Sequence, residues 1–373
     1  MQFFTPSFTK DFMCIADKCS YSCCKNWTIL FKEEHRKKFL AAGIYDIDSN
    51  SVKKSDDLYS IRLTVDGSCP YLDKKGLCGM ILRTGSDDIL CGTCETFPRI
   101  IQIRNNVMEY TLSNACPAVL QLLENTPCPM AFELEDVNEL SNNAEEVDDS
   151  LLSCREMMID LMQISDFPIW VRLYLLYSFA SKIRINKSDI NNIIKQYNSV
   201  DHLIEIYNQI STIDVNMPTK LQLLANYLSI IEIKDTMDNY EKHYIELYDY
   251  ATSIPMNNII SAWAEFDNIF SQESQLFENI CVNNIFKSIN LSNTENFFYS
   301  TFILIEMISL IKFTMLLEWL YTNKEPIFHN KYNIITYFAR KLEHGDFDSI
   351  LKHIKAYEKQ GWLESGYIFT MIR

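Results

Sequence analysis

From Thr93 to His344 the chain contains no glycine; six of its nine glycines lie before residue 93. A Rossmann-type fold needs glycines where a strand turns into a helix, so that backbone can approach a bound nucleotide. Most of this chain cannot meet that need. Neither a G-x-G-x-x-G stretch nor a P-loop occurs anywhere in the sequence. Glycine and proline together make up about 5% of the residues against a usual ~12%, which argues against collagen-like, low-complexity and turn-dense all-β architectures.

With 47% hydrophobic and 22% charged residues, the composition is that of an ordinary globular protein. The 373 residues allow about two domains, because single cores seldom grow past ~250–300 residues. The second half reads as helices at residues 168–184, 187–198, 201–211, 218–234, 239–251 and 256–271. Further helices are expected at 274–288, 294–323, 331–343 and 346–358. Short connections rich in Asn, Ser, Asp and Pro separate them. The tyrosines and phenylalanines read mostly as core packing. Their spacing has no fixed period, so a solenoid of exact repeats is not supported.

The most apolar long stretch, residues 301–320, carries Glu306, Lys312 and Glu318. On a helix these point in directions about 120° apart, so a bilayer cannot be spared all three. The expectation is a buried bundle helix with its charges at the rims or paired. The N-terminal residues lack a cationic stretch followed by an apolar one, which argues against a secretory signal.

The formal charge of −15 is uneven. Residues 1–130 hold 15 basic and 15 acidic residues, residues 131–150 hold eight acids and no base, and the rest holds 19 basic against 26 acidic. Phosphate-backbone binding rests on clustered Lys and Arg, so nucleic acid is disfavoured as a partner. A lysine-bearing partner surface suits this charge better.

Ten of the 12 cysteines lie between Cys14 and Cys128. The expected organisation is therefore a cysteine-rich module over residues 1–130, an acidic linker over 131–150 and a helical domain over 151–373. The fold class is mainly α, with a small metal-holding module of loops, short strands and helices packed on the helical domain.

The cysteines run through C-I-A-D-K-C-S-Y-S-C-C (Cys14, Cys19, Cys23, Cys24), then Cys69, Cys78, Cys91, Cys94, Cys116 and Cys128. Disulfides need an oxidising compartment, and nothing here points to one. Buried structural thiols suit Cys154, Cys281 and Cys128. Four cysteines in eleven residues flanked by Lys, Asp, Ser and Asn fit metal or iron–sulfur ligation better. Spacing alone does not separate zinc from an iron–sulfur cluster. Adjacent Cys23 and Cys24 tend to diverge, so either they serve two sites or one ligates while the other packs. The C-x3-C-x2-C spacing of radical enzymes is absent, so radical chemistry is not inferred. The six histidines, scattered at His35, His202, His243, His329, His344 and His353, read as structural or exposed.

Four segments, C-I-A-D-K-C-S-Y-S-C-C-K-N-W, D-G-S-C-P-Y-L-D-K-K-G-L-C, T-C-E-T-F-P-R-I and L-S-N-A-C-P, resemble the flagellin lysine-N-methylase family. That family falls within a broader group named for a C-x-x-C-x-x-C-C-like cluster. The likeness covers residues 1 to about 125. It implies a cytoplasmic enzyme that methylates lysine ε-amines of flagellin, with S-adenosylmethionine as donor and an iron–sulfur cluster of the [4Fe–4S] type. By position the family cysteines are Cys14, Cys19, Cys23, Cys24, Cys69, Cys78, Cys94 and Cys116, with Cys91 where the family often has a polar residue.

Amine attack on a sulfonium methyl needs a neutral amine, whereas lysine has an unperturbed pKa of ~10.4. The site must desolvate the ammonium or supply a base. Candidate bases are Tyr71, Asp73, Glu95, Glu109 and Tyr110. Arg99 is a candidate for the donor's carboxylate, or for a structural ion pair. Two other functions stay open on the residues: a non-enzymatic iron- or zinc-binding protein that chelates or senses metal and has a helical partner-binding domain, and a cluster-dependent redox protein.

Overall fold

A computed structural model describes residues 2–90, 92–136, 144–228, 239–324 and 330–373. Cys91, His329, residues 137–143 of the acidic stretch and the last part of the helix expected at 218–234 lie outside the described residues. The chain is mainly helical, with a small sheet-containing N-terminal region.

The strands are β1 (Gln2–Pro6), β2 (Leu30–Lys32), β3 (Ser51–Lys53), β4 (Leu58–Ile61), β5 (Arg99–Arg104), β6 (Val107–Leu112) and β7 (Phe132–Asp136). They form two sheets, a four-stranded one in the order β5-β6-β1-β7 and a three-stranded one in the order β2-β4-β3. β1 runs parallel to β6 and antiparallel to β7, with Phe4 opposite Glu109 on one side and Leu134 on the other. Phe132–Asp136, within the stretch read as an acidic linker, thus completes a sheet of the front region.

The helices are α1 (Glu33–Ala41), α2 (Gly79–Thr84), α3 (Thr93–Thr96), α4 (Pro117–Asn125), α5 (Asp149–Met162), α6 (Ile169–Ile185), α7 (Ile190–Tyr197), α8 (Val200–Ser211), α9 (Met217–Leu228), α10 (Asn239–Ser253), α11 (Met256–Ser271), α12 (Ser274–Ser288), α13 (Thr294–Tyr321), α14 (Lys331–Leu342), α15 (Phe347–Lys359) and α16 (Ser365–Ile372). Local chemistry sets several starts. Asp148, Asn293 and Asp346 accept backbone N–H groups at the starts of α5, α13 and α15, and Pro117 opens α4 where no N–H is needed.

α13 is the centre of the helical part, packed by α6, α14, α10 and α9. Among the described residues it is the helix long and apolar enough to cross a membrane, yet 89% of its apolar window is buried inside the protein. Its charges only partly follow expectation. Lys312 pairs with Asp267 at 2.5 Å, and Glu318 with His243 at 2.6 Å. Glu306 is neither at a rim nor paired. It is fully buried, and neither carboxyl oxygen has a hydrogen-bond partner among the described residues. Burial holds that carboxyl far above its ordinary pKa, so it stays protonated.

Two cores form. The large one joins the helices to Phe8, Leu112, Val119 and Leu120 of the front region. A small one, built on Ile29, Phe31, Phe39, Ile44, Ile47 and Tyr71, lies under the three-stranded sheet. A buried ion triad ties the four-stranded sheet to the helices: Glu109 on β6 accepts from Arg104 at 2.5 Å and from both terminal nitrogens of Arg155 on α5 at 2.5 and 2.7 Å.

Candidate functional site

The sequence segments that carry the family likeness are loops with specific turn chemistry. In D-G-S-C, Asp66 accepts from the Thr64 hydroxyl at 2.6 Å and from the Ser68 hydroxyl at 2.9 Å. Gly67 adopts a φ of +76°, and a Cβ there would lie 1.7 Å from Asn26 Oδ1. Only glycine fits that position. The turn brings Cys69 under Cys24, whose carbonyl accepts the Cys69 N–H at 2.7 Å. In L-D-K-K-G-L-C, Asp73 Oδ1 accepts from Lys75 N and Leu77 N, both at 2.8 Å, and the loop returns Cys78 towards Leu72. In G-T-C, Gly92 (φ +53°) lies against the Leu30 carbonyl, where a Cβ would come to 1.9 Å.

By the core or thiols each one neighbours, the thiols fall into two sets linked through Cys24. Cys69, Cys78 and Cys94 pack against the small core, and Cys24 joins them through Cys69. Burial pushes the Cys69 thiol up to about 11, with Cys24 and Cys78 adding repulsion. Cys116 sits at the start of α4 in the large core, pushed up to about 11 by burial, with Cys19 and Cys14 adding to it. Cys23 also feels Cys116. Adjacent Cys23 and Cys24 share a hydrogen bond that lowers the Cys24 thiol and raises that of Cys23. All described cysteines are free thiols. The donor chemistry suits a thiophilic metal or cluster, whose positive charge would displace the thiol protons. Even so, among the described residues no three His, Cys, Asp or Glu side chains stand together as a metal-holding group.

Arg340, near the end of α14, is the helical half's contribution to this place. Its guanidinium lies over Tyr21 at 4.2 Å and Trp27 at 5.0 Å and donates to the Tyr21 carbonyl at 2.9 Å. Burial lowers its pKa, while Tyr21, Cys23, Cys19 and Cys116 oppose that by favouring the charge. It is thus the cation facing the first thiol group.

Arg340 lines two cavities that also share Tyr21, Asn26, Val65 and Gly67. The one of about 830 Å³ is walled by Trp27, Phe97, Arg99, Tyr337 and His344. The one of about 770 Å³ is walled by Cys19, Asp17, Asp66, Asp73 and His243. In the first, the rings of Trp27, Phe97 and His344 converge, with centroids 5.3, 5.2 and 6.2 Å apart. His344 Nε2 lies 2.7 Å from Ser113 Oγ, and burial lowers the imidazole's pKa below its ordinary value.

The candidate bases scatter. Tyr71 is in the small core, Asp73 holds its own turn on the second cavity, and Glu95 is exposed on α3. Glu109 is locked between two arginines, and burial raises the pKa of the Tyr110 hydroxyl against the opposing pull of Arg99. Arg99 lines the larger cavity, donates to the Glu95 carbonyl at 3.4 Å and lies over Phe12 at 5.5 Å. No carboxylate pairs with it among the described residues, and its guanidinium hydrogen-bonds the Tyr110 hydroxyl. Cys154 and Cys281 are fully buried, and Cys128 reaches Asn279 Oδ1 at 3.5 Å, away from the thiol groups.

The L-S-N-A-C-P segment joins the halves. Asn114 donates to Glu343 at 3.0 Å and to the Ile280 carbonyl at 3.3 Å, and accepts from Asn283 at 2.6 Å. Residues 155–370, more than half of the chain, match the model of the FliB lysine N-methylase C-terminal domain. This chain belongs to the FliB lysine N-methylase family. The flagellar biosynthetic protein FliU of Salmonella muenchen is 36% identical over 135 residues, 34% of this chain and 79% of that protein. The lysine-N-methylases of Salmonella choleraesuis (strain SC-B67) and Salmonella typhimurium (strain LT2) are each 32% identical over 146 residues, 37% of this chain. Those matches span 36% of each lysine-N-methylase. No solved structure matches the chain.

The FliB domain match covers the half in which sequence reading found no motif, and it contains Arg340, His344 and Glu343. Their signal was faint: one K-L-E-H-G run, carrying the first glycine after the long gap.

Proposed function

We propose that this member of the FliB lysine N-methylase family methylates ε-amines of surface lysines on flagellin, with S-adenosylmethionine as donor and an iron–sulfur cluster of the [4Fe–4S] type held by the front cysteines. Family membership supports the methyltransferase role, and the flagellar name of the FliU relative favours a flagellar substrate. The observation that carries the reading is the pair of cavities that Arg340 lines, one walled by the Cys19 thiol and the other by aromatic rings.

Cys14, Cys19, Cys23 and Cys116 would form one ligand group; Cys24, Cys69, Cys78 and Cys94 would form the other. When bound, the cluster supplies positive charge that would displace the thiol protons. Zinc is the alternative occupant, and iron, sulfide and zinc analysis decides between them. Arg340 balances the charge of the first group and lines both cavities. Arg99, in the wall of the larger cavity, suits the donor's carboxylate. Arg340 and the aromatic walls exclude water from the reacting amine.

The test is anaerobic purification, metal and sulfide analysis, and incubation with labelled donor and flagellin. Label on flagellin lysines that disappears with Cys24→Ser and Cys116→Ser supports the reading. Metal transfer to another protein without label would favour a metal-delivery function instead.

A further inference from the structure

We propose that the cavity of about 830 Å³ seats the substrate lysine side chain against Trp27 and Phe97, and that His344 takes its proton. This rests on the methyltransferase reading and deepens it by naming the base.

The geometry brings three rings from distant parts of the chain to one wall. Trp27 follows the Cys23–Cys24 pair, Phe97 follows α3, and His344 follows α14. Trp27 and Phe97 are half-buried, and His344 is exposed with its ring against both of theirs. The aromatic wall takes the four-carbon stem of lysine, while the polar rest of the cavity faces its charged end.

His344 has the features of a proton acceptor. Ser113 Oγ fixes Nε2 at 2.7 Å, while Nδ1 has no hydrogen-bond partner among the described residues. With Nε2–H donated to Ser113, Nδ1 carries a free lone pair. The groups facing the ring also matter. Lys287 on α12 and Arg340 on α14 disfavour a cation here, and Glu343 favours one. Glu343 is already tied to Lys287 at 2.7 Å. Arg99, Lys341, Asp346 and His353 complete the charged groups of the wall. Arg340 already occupies Trp27 at 5.0 Å, so a second cation beside it is pushed towards its neutral form. That brings the lysine down from ~10.4 towards the imidazole, whose own pKa burial holds below ~6.5.

The step balances as follows. Nδ1 of His344 accepts one proton from the ε-ammonium. The freed amine lone pair forms the N–C bond to the methyl of the sulfonium donor. The C–S bond breaks and its electron pair stays on sulfur as a thioether. The positive charge passes to the new methylammonium, and His344 returns its proton to water.

The experiment is the pH profile of kcat/KM for the anaerobically purified full chain acting on flagellin, together with calorimetric binding of two hexapeptides. One hexapeptide carries a central lysine and the other an alanine in its place. The wild type should show an acid limb below pH ~6.5. His344→Gln should lose that limb and roughly 100-fold or more in kcat, with KM little changed. His344→Ala should regain rate with added free imidazole, which a misfolded variant would not. The lysyl peptide should bind several-fold tighter than the alanyl one, and Trp27→Leu should remove that difference. An unchanged limb and rate in His344→Gln, or equal binding of the two peptides, overturns this proposal while the methyltransferase reading stands. A wild type that methylates nothing at any pH overturns both.

Discussion

Ser113 Oγ lies 2.7 Å from Nε2 of His344, joining residues 231 positions apart. One residue on, Asn114 repeats the connection by donating to Glu343. The cysteine-bearing segment and the end of α14 are therefore positioned by one buried polar network. Its far anchor is Lys287, paired with Glu343 at 2.7 Å where both side chains are almost wholly buried.

That network predicts a large stability effect from a single truncation. Lys287→Met leaves the Glu343 carboxylate buried and unpaired, which costs about 3–5 kcal/mol. Denaturant midpoints at neutral pH measure it. Lys287→Met combined with Glu343→Gln should recover part of the loss; a double variant no more stable than the single one would refute the assignment.

Glu109, a candidate base from the sequence, is expected to act on stability alone. Glu109→Gln leaves Arg104 and Arg155 buried with a neutral partner, at a cost of about 3–5 kcal/mol. The fraction that stays folded should keep its kcat. Loss of turnover in fully folded protein would reinstate Glu109 as a catalytic group.

How much of this was visible in the residues follows from the range of the forces involved. Helix periodicity and caps are local, so α6 (Ile169–Ile185) and α11 (Met256–Ser271) match their expected spans to within a residue or so. α5 and α16 were not separately expected, because Asp149–Met162 follows the acidic run and Ser365–Ile372 is only eight residues long. The cysteine segments were legible because turn chemistry is written in Asp, Gly and Ser at fixed offsets. Arg340 and His344 were not, because a single Arg or His on a helix end looks the same whether it faces solvent or a cavity. Only the long-range pairing of Ser113 and Asn114 with α14 distinguishes them.

Glu306 gives a pH signature. Below ~4.3 the carboxyl is protonated both folded and unfolded, so it contributes no pH dependence. Above that, the unfolded carboxyl ionises before the buried one, so stability falls as pH rises towards the raised folded value. Glu306→Gln removes this penalty. Its stability relative to wild type should rise between pH 5 and pH 8, measured by denaturant midpoints; a constant difference would contradict the buried, protonated state.

His243 gives the opposite kind of dependence. Its hydrogen bond to Glu318 raises its pKa, against an opposing effect of burial. The pair's contribution is fully present below the unfolded value of ~6.5 and is lost as pH rises through the higher folded value. His243→Ala should therefore cost about 1–2 kcal/mol at pH 6 and less well above the folded pKa. Thermal unfolding across that range is the measurement, and a cost that grows with pH would reverse the assignment.

The most direct test of the central claim is mass spectrometry of flagellin after incubation with the anaerobically purified protein, with and without S-adenosylmethionine. The account predicts methyl groups on flagellin lysines only when donor is present, and none with Cys24→Ser or Cys116→Ser. Unmodified lysines after incubation with folded, metal-loaded wild type and donor would contradict it.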